Sequence, residues 1–152
     1  MPKGIVIYSS WYGNTEKAAR AICDGIKDAG LDVECKNIKD VKPKDVALYD
    51  FILFGSPTHA DNIPDEMKKF MEGLKKLNLK GKGGAAFDTR YEGREIGGLI
   101  VLENYLKKFG MKIIQLGLPV LLPSYAAKGP LKEGELSKCK EFGKSFARKI
   151  KS

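Results

Sequence analysis

The sequence predicts an α/β fold in which a doubly wound parallel sheet is covered by helices on both faces. Short, continuously apolar runs, typical of strands buried on both faces, alternate with segments whose apolar residues recur at helical spacing. Such alternation is typical of parallel sheets. The chain has 152 residues, 43% of them hydrophobic, and no linker or repeat divides it. We therefore expect a single domain over residues 1–152.

The first half of the chain contains three predicted strands separated by two predicted helices. Continuous apolar runs predict strands at residues 5–8 and 51–54. Alternating apolar and charged residues predict another strand at residues 33–35, between these two. Helical spacing predicts helices at residues 14–29 and 63–77. Gly30 stands where a glycine commonly ends a helix, and Pro64 lies near the first turn of the second helix. The alternating second strand is expected at an edge of the sheet.

The second half repeats the alternation with two strands and two helices. The same criteria predict strands at residues 84–87 and 112–120, and helices at residues 99–109 and 136–150. Gly110 ends the first of these helices. Pro119 has no N–H to donate, so the last strand is also expected at an edge.

Composition excludes several classes of protein. No stretch approaches the roughly 20 apolar residues of a membrane-spanning helix, and the N-terminal apolar run is too short for a signal peptide, so we expect a cytoplasmic protein without a membrane span. Cys23, Cys35 and Cys139 are scattered, which argues against a disulfide framework or structural zinc and favours three small, partly buried hydrophobes. His59 is the only histidine, which excludes a multi-histidine metal centre.

The formal net charge of +8 leaves several partners open. Basic domains bind nucleic acids, anionic membranes or acidic proteins, and a surface rich in lysine and glutamate can also be simply well solvated. Nucleic-acid binding is the weaker alternative, because no stacking aromatics interleave with the basic residues of the last predicted helix. We expect no nucleic-acid partner. These basic residues are Lys138, Lys140, Lys144, Arg148 and Lys149.

The first strand is followed by a segment suited to a phosphate group. Doubly wound sheets bind ligands at the carboxyl ends of their strands, so the informative loops are those expected to begin at Ser9, Gly55 and Asp88. In the first, a glycine permits a tight turn, helix N–H groups point outward, and hydroxyl and amide side chains add donors. The alternative is an ordinary helix cap with nothing bound. The loop matches neither the Walker pattern nor Gly-x-Gly-x-x-Gly.

Three segments resemble the flavin-binding loops of flavodoxins. Residues 10–15, Ser-Trp-Tyr-Gly-Asn-Thr, resemble their phosphate signature, Thr/Ser-x-Thr-Gly-x-Thr. The aromatic pair before the glycine is closer still to the flavodoxin-like domains of flavodiiron proteins. Residues 55–58, Gly-Ser-Pro-Thr, resemble the opening of the second loop, and residues 84–87 the strand before the third. The match covers essentially the whole chain in the right order.

This resemblance implies a five-stranded parallel sheet of order 2-1-3-4-5 and a non-covalently bound flavin mononucleotide (FMN). The first loop would hold the phosphate, with Trp11 beside the ribityl chain or ring. The second and third loops would flank the isoalloxazine ring, with Tyr91 the best candidate for stacking on it. The implied FMN-binding residues are Ser10, Trp11, Tyr12, Gly13, Asn14, Thr15, Pro57, Thr58, His59, Ala60, Asp61, Asn62, Phe87, Asp88, Thr89, Arg90, Tyr91, Glu92 and Gly93.

Two residues of the second loop depart from the family pattern. Many flavodoxins carry tryptophan where His59 falls, so one stacking wall is expected to be weaker. His59 is either a polar loop residue or a group whose charge makes the flavin potential depend on pH. Flavodoxins often have a glycine near Ala60, whose peptide group can turn toward the reduced ring. Alanine is expected to resist positive φ, although Asn62 nearby tolerates it.

The positive net charge is the other departure, because flavodoxins are typically acidic. One charge about 10 Å from the ring, at an effective dielectric near 40, is worth roughly 0.8 kcal/mol. Distant charges are screened, so the groups Asp61, Asp88, Glu92 and Arg90 are expected to matter more than the net charge. We expect a less negative potential for full reduction of the flavin than in acidic relatives.

The leading functional hypothesis is an electron carrier in which the flavin does the chemistry and no catalytic residues are needed. Its basic surface suits an acidic redox partner, such as a ferredoxin or a larger oxidoreductase. The alternative is an FMN-dependent NAD(P)H or quinone oxidoreductase, against which the short loop at residues 88–94 argues. A phosphoacceptor receiver is excluded, because residues 53–56 lack the aspartate that it requires at the end of the third strand.

Overall fold

The computed structural model describes residues 2–124 and 128–152 as one sheet with helices on both of its faces. Within that part of the chain, no helix is long and apolar enough to cross a membrane. The strands are β1 (Lys3–Tyr8), β2 (Asp32–Asn37), β3 (Phe51–Pro57), β4 (Gly83–Tyr91), β5 (Lys112–Ile113) and β6 (Leu118–Leu122). The helices are α1 (Asn14–Asp28), α2 (Asp65–Gly73), α3 (Gly98–Lys108) and α4 (Glu135–Lys151).

All strand pairings are parallel, and the order β2-β1-β3-β4-β5 confirms the predicted topology. β2 lies at one edge, as its alternating sequence indicated. The other edge is shared by β5 and β6, which pair with the beginning and the end of β4. Strand order therefore reverses between β1 and β3, and the ligand site of such a sheet lies beyond their carboxyl ends.

The last predicted strand, residues 112–120, is interrupted. Ile113 faces Gly84 and Leu118 faces Phe87, so four residues of the last segment lie opposite only two of β4. The extra residues form a bulge that interrupts the pairing with β4 between β5 and β6. A Cβ at Gly117 would lie 2.9 Å from the Ala86 carbonyl oxygen, which shows how closely the bulge passes over β4.

Two apolar cores fill the space between the sheet and its helices. On one face α1 and α4 cover residues such as Val6 and Leu53, and the other face is covered by α2 and α3. α1 and α4 approach closely at two glycines. A Cβ at Gly25 would lie 2.0 Å from the Lys140 carbonyl oxygen, and one at Gly143 would lie 2.1 Å from that of Ile22. The basic helix α4 is thus held firmly against α1.

β3 and β4 both extend further than predicted. The ladder continues to the pair Pro57–Thr89, and β6 supports β4 as far as Tyr91. Gly55 and Asp88, expected to open the second and third loops, therefore lie within strands. The loops at this edge are loop 1 (residues 9–13), loop 2 (residues 58–64) and loop 3 (residues 92–97).

Candidate functional site

A cavity of about 410 Å³ opens at the carboxyl ends of β1, β3, β4 and β6. This volume falls in the usual range for small-molecule sites, about 300–1,000 Å³. Loop 1, loop 2 and the end of β4 form its walls. The lining residues are Ser10, Trp11, Tyr12, Asn14, Thr15, Pro57, Thr58, His59, Ala60, Thr89, Arg90, Tyr91, Arg94 and Leu122.

The amino end of α1 forms one end of the cavity. Gly13 caps the helix with φ +87°, a left-handed conformation that glycine adopts at little cost. The N–H group of Gly13 donates to the Ser10 hydroxyl at 3.1 Å, and the first helical bond runs from the Lys17 N–H to the Gly13 carbonyl. The N–H groups of Asn14 and Thr15 precede that bond and have no partner in the helix itself. They form, with the helix dipole, a site that favours an anion.

The side chains of Asn14 and Thr15 have other partners. The Asn14 amide donates to the Lys128 carbonyl at 3.1 Å, and the Thr15 hydroxyl lies 2.8 Å from that of Thr89. Both residues are buried. Their side chains therefore hold the helix end against β4 and the segment before α4, and the backbone N–H groups supply the donors for a ligand.

Loop 2 contains a tight turn in an unusual conformation. His59 and Asn62 exchange backbone hydrogen bonds of 2.7 and 2.9 Å, and the two residues between them, Ala60 and Asp61, have φ of 49° and 62°. Positive φ at both central positions defines a type I′ turn, which usually contains asparagine and glycine. Ala60 therefore adopts positive φ in spite of the resistance expected of alanine. The two hydrogen bonds across the turn outweigh the conformational cost of positive φ at Ala60.

A buried ion pair ties loop 2 and α3 to the end of β4. The Arg90 guanidinium lies 3.0 Å from the Asp88 carboxylate, and both side chains are shielded from solvent. The same carboxylate accepts from the Thr58 hydroxyl at 2.7 Å and from the Leu99 N–H at 3.2 Å. Arg90 also donates to the carbonyl of Glu95 at 3.0 Å. These contacts satisfy both charges, as a buried pair requires.

Each acidic group expected to influence a ligand here has a cationic partner. Asp88 pairs with Arg90, Asp61 in loop 2 pairs with Arg94 in loop 3, and Glu92 pairs with Lys132. A hydrogen bond from Lys132, and another from the backbone N–H of Ser124, hold the pKa of Glu92 below its usual value. The carboxylates around the cavity are therefore compensated locally.

Aromatic side chains flank the mouth of the cavity. The rings of Trp11 and His59 meet edge to face with centroids 3.9 Å apart, and the Trp11 indole donates to Glu66 at 3.2 Å. Trp11 and Tyr12 are 48% and 55% exposed, although they line the cavity. Tyr91 lies on the opposite wall, at the end of β4. Exposed aromatic faces beside a cavity suit a planar ligand.

Most residues predicted for the site line the cavity, and seven do not. Phe87 and Asp88 are fully buried, Phe87 in the core and Asp88 in its ion pair. The structure adds Arg94 and Leu122. Arg94 belongs to the predicted loop at residues 88–94 but not to the implied FMN-binding residues, and Leu122 lies beyond the predicted end of the last strand at residue 120. The predicted residues outside the lining are Gly13, Asp61, Asn62, Phe87, Asp88, Glu92 and Gly93. Across residues 2–124 and 128–152, no cluster of histidine, cysteine or carboxylate side chains could hold a metal.

Comparison with known proteins identifies the family. The flavodoxin family model matches residues 6–143 of this chain. The chain belongs to the flavodoxin family. A flavodoxin from Clostridium saccharobutylicum is 34% identical, with 96% of each chain covered. The structure of a flavodoxin from the domain Archaea superposes with a TM-score of 0.85 and 31% identity, with 99% of each chain covered. As a flavodoxin, the protein binds FMN and transfers electrons.

Two further similarities concern flavodiiron proteins and quinone reductases. Rubredoxin oxygen:oxidoreductase from Desulfovibrio gigas has a TM-score of 0.81 at 24% identity, a likeness of fold alone, and 98% of this chain matches 36% of that one. An NAD(P)H dehydrogenase (quinone) from Archaeoglobus fulgidus is 29% identical, with 97% of this chain and 96% of the relative covered.

Proposed function

We propose that the cavity is the FMN site of an electron carrier, with the phosphate at the amino end of α1 and the ring between loop 2 and Tyr91. The observation that supports this most directly is the position of the helix end. Two N–H groups outside the helical ladder face a cavity whose far walls are aromatic, an arrangement suited to an anion joined to a planar ring. Bound FMN would supply the redox chemistry.

At the phosphate end, the fit depends on the backbone. A Cβ at Gly13 would meet no atom within 4 Å, so there is open space beside the helix end. The Ser10 hydroxyl, which accepts from the Gly13 N–H, keeps a proton to donate. A phosphate therefore suits this end better than an uncharged group.

At the ring end, we assign one wall to His59 and Ala60 and the other to Tyr91. Trp11 braces His59 from the side, so the smaller imidazole is held as part of a larger aromatic surface. Asp88 and Arg90 act beneath the cavity, where they position loop 2 and α3. In this assignment Phe87 supports the sheet from the core.

We propose that the protein works as one domain, in the cytoplasm, with an acidic redox partner such as a ferredoxin or a larger oxidoreductase. The net charge of +8 supports an acidic partner, since opposite charge speeds encounter. The exposed rings of Trp11 and Tyr12, with Lys128 Nζ 5.8 Å from the Tyr12 centroid, support docking at the cavity mouth. Three free cysteines fit a reducing compartment.

Titration with FMN and with riboflavin, followed by quenching of flavin fluorescence, tests the assignment of the phosphate end. Because riboflavin lacks only the phosphate, we expect FMN to bind at least about 100-fold more tightly, equivalent to about 2.7 kcal/mol. Equal affinities would contradict a phosphate site at α1.

A quinone reductase remains the second candidate, favoured by the relative from Archaeoglobus fulgidus. Steady oxidation of NADH or NADPH by the FMN-loaded protein with a soluble quinone would support it. We expect turnover no faster than that of free FMN at the same concentration, because an electron carrier needs no nicotinamide site.

A further inference from the structure

Two cysteines, one in α1 and one on the edge strand β2, lie close to each other and away from the cavity lining. The Sγ atom of Cys23 in α1 lies 3.8 Å from the carbonyl oxygen of Glu34, the residue before Cys35. Val33 is buried against α1 in the same core, and Cys35, two residues on, packs against that core as well. Alternate residues of a strand share a face, so Cys35 is directed toward α1 beside Cys23.

The two thiols differ in their access to solvent. Cys23 is only 2% exposed. Cys35 is half-buried on β2, which has a neighbouring strand on one side only. The third cysteine, Cys139 in α4, is completely buried, and burial raises the pKa of its thiol to about 12. Cys23 and Cys35 are therefore the pair in which each thiol has another nearby and in which one of them, Cys35, can be reached by a small oxidant.

The surroundings favour a thiolate on Cys35. A hydrogen bond from the Cys23 thiol lowers the pKa of Cys35 most, against the opposing effect of burial, and the charges of Arg20 and Lys27 lower it further. Glu16 opposes them weakly. The pKa of Cys23 is raised by its bond to Cys35 and by burial. Cys35 is thus the thiol that ionises more readily and reacts as a thiolate, and Cys23 stays protonated.

We propose that Cys35 and Cys23 form a redox-active dithiol, separate from the flavin site, that a hydroperoxide oxidises to a disulfide. The Cys35 thiolate attacks one peroxide oxygen, the O–O bond breaks, and Cys35 becomes a sulfenic acid while hydroxide leaves. The Cys23 sulfur then attacks the Cys35 sulfur, the S–O bond breaks, and the departing hydroxide takes the Cys23 proton as water. In sum, two thiols and one hydrogen peroxide give one disulfide and two waters.

The test is to treat the FMN-loaded protein, with its thiols reduced, with hydrogen peroxide and to measure its intact mass and disulfide map. We expect a loss of about 2 Da and a single link between the peptides holding Cys23 and Cys35. Cys139→Ser is the matched control and should behave as wild type. In Cys23→Ala, reaction should stop at a sulfenic acid on Cys35 that dimedone traps, with a gain of about 16 Da before trapping.

In Cys35→Ala, the two remaining thiols, those of Cys23 and Cys139, should both stay reduced at the peroxide dose that oxidises wild type. The proposal is overturned if wild-type protein gains oxygen without forming the Cys23–Cys35 link, or if Cys35→Ala is oxidised as fast as wild type. The wild-type disulfide map decides the question even if a substitution prevents folding.

Discussion

Gly13 has a conformational role that can be separated from its role beside the ligand. Gly13 has φ +87° at the amino end of α1. Gly81 has φ +79° just before the amino end of β4, at the opposite end of the strands from the cavity. A Cβ at either residue would meet no protein atom within 4 Å. The two glycines therefore share the same backbone requirement and the same free space, and only Gly13 adjoins the proposed phosphate site.

We expect Gly13→Ala and Gly81→Ala each to lower the free energy of unfolding by about 1 kcal/mol, since a left-handed alanine is strained by about 1–2 kcal/mol. Only Gly13→Ala should weaken FMN binding, by about tenfold or more. Urea denaturation and flavin titration of both variants measure the two effects. Equal FMN affinity in the two variants would show that the helix end does not hold the phosphate.

Ala60 is a strained residue in loop 2, with φ +49°. We expect Ala60→Gly to raise the free energy of unfolding slightly, by up to about 0.5 kcal/mol, because the relieved strain exceeds the added entropy of the unfolded chain. Ala21→Gly, in the middle of α1, is the control and should lower it by about 1 kcal/mol. A similar loss in both variants would mean that Ala60 is not strained in solution.

At the scale of elements, the ion pair of Asp88 and Arg90 joins β4 to loop 2 and α3. Arg90→Met leaves a buried carboxylate without its cation, so we expect a loss of about 3–5 kcal/mol in the free energy of unfolding. Arg20→Met, which breaks an exposed pair with Glu16, should change it by no more than about 0.5 kcal/mol.

The double variant Asp88→Asn, Arg90→Met separates charge from packing. Because it removes both charges, it should recover part of the stability that Arg90→Met loses, as chemical denaturation would show. If the double variant were less stable than Arg90→Met by the full cost of Asp88→Asn, the two residues would be acting independently.

The sequence predicted the elements better than their ends. Apolar runs and helical spacing located the strands and helices, because burial against the sheet dictates both patterns. They could not show that β4 continues to Tyr91, since Asp88 and Arg90 read as loop residues until their ion pair is seen. Nor could they predict the left-handed Ala60, which depends on hydrogen bonds across a turn. Charge pairing and turn geometry are tertiary properties that a local pattern does not carry.

At the scale of the whole molecule, tyrosine hydroxyls and a cysteine thiol with raised pKa values make the free energy of unfolding decrease at alkaline pH. Tyr49 donates to Glu34 at 2.5 Å and Tyr105 to Glu72 at 2.6 Å, and burial followed by these bonds raises both tyrosine pKa values to about 12. A pKa raised above the unfolded value of 10.0 stabilises the fold fully below pH 10. That contribution is lost as the pH rises toward 12. Buried Cys139 adds an effect of the same sign.

We therefore expect the free energy of unfolding to decrease between about pH 10 and 12 in urea titrations under reducing conditions. Tyr49→Phe and Tyr105→Phe should each flatten the decrease, by up to about 1.4 kcal/mol per pH unit. Tyr12→Phe, at an exposed tyrosine, should leave the slope unchanged. A stability that stays constant over this range would contradict the raised pKa values.

The pairing of carboxylates around the cavity leaves the net charge of +8 to act at longer range. Positive charge favours the negative, reduced form of a bound flavin, and salt screens this attraction because the screening length falls from about 30 Å at 0.01 M to about 3 Å at 1 M. We expect the potential of the bound flavin to become more negative as salt is added, relative to free FMN in the same buffers. A shift in the opposite direction would indicate that unpaired acidic groups dominate.

The most direct test of the account is the visible spectrum of the purified protein after incubation with FMN and desalting. If the cavity is the flavin site, the protein will retain the absorption bands of oxidised flavin near one FMN per chain, and stepwise reduction will bleach them reversibly. A colourless protein with no measurable affinity for FMN would contradict it, and the three loops would then have to bind a different ligand.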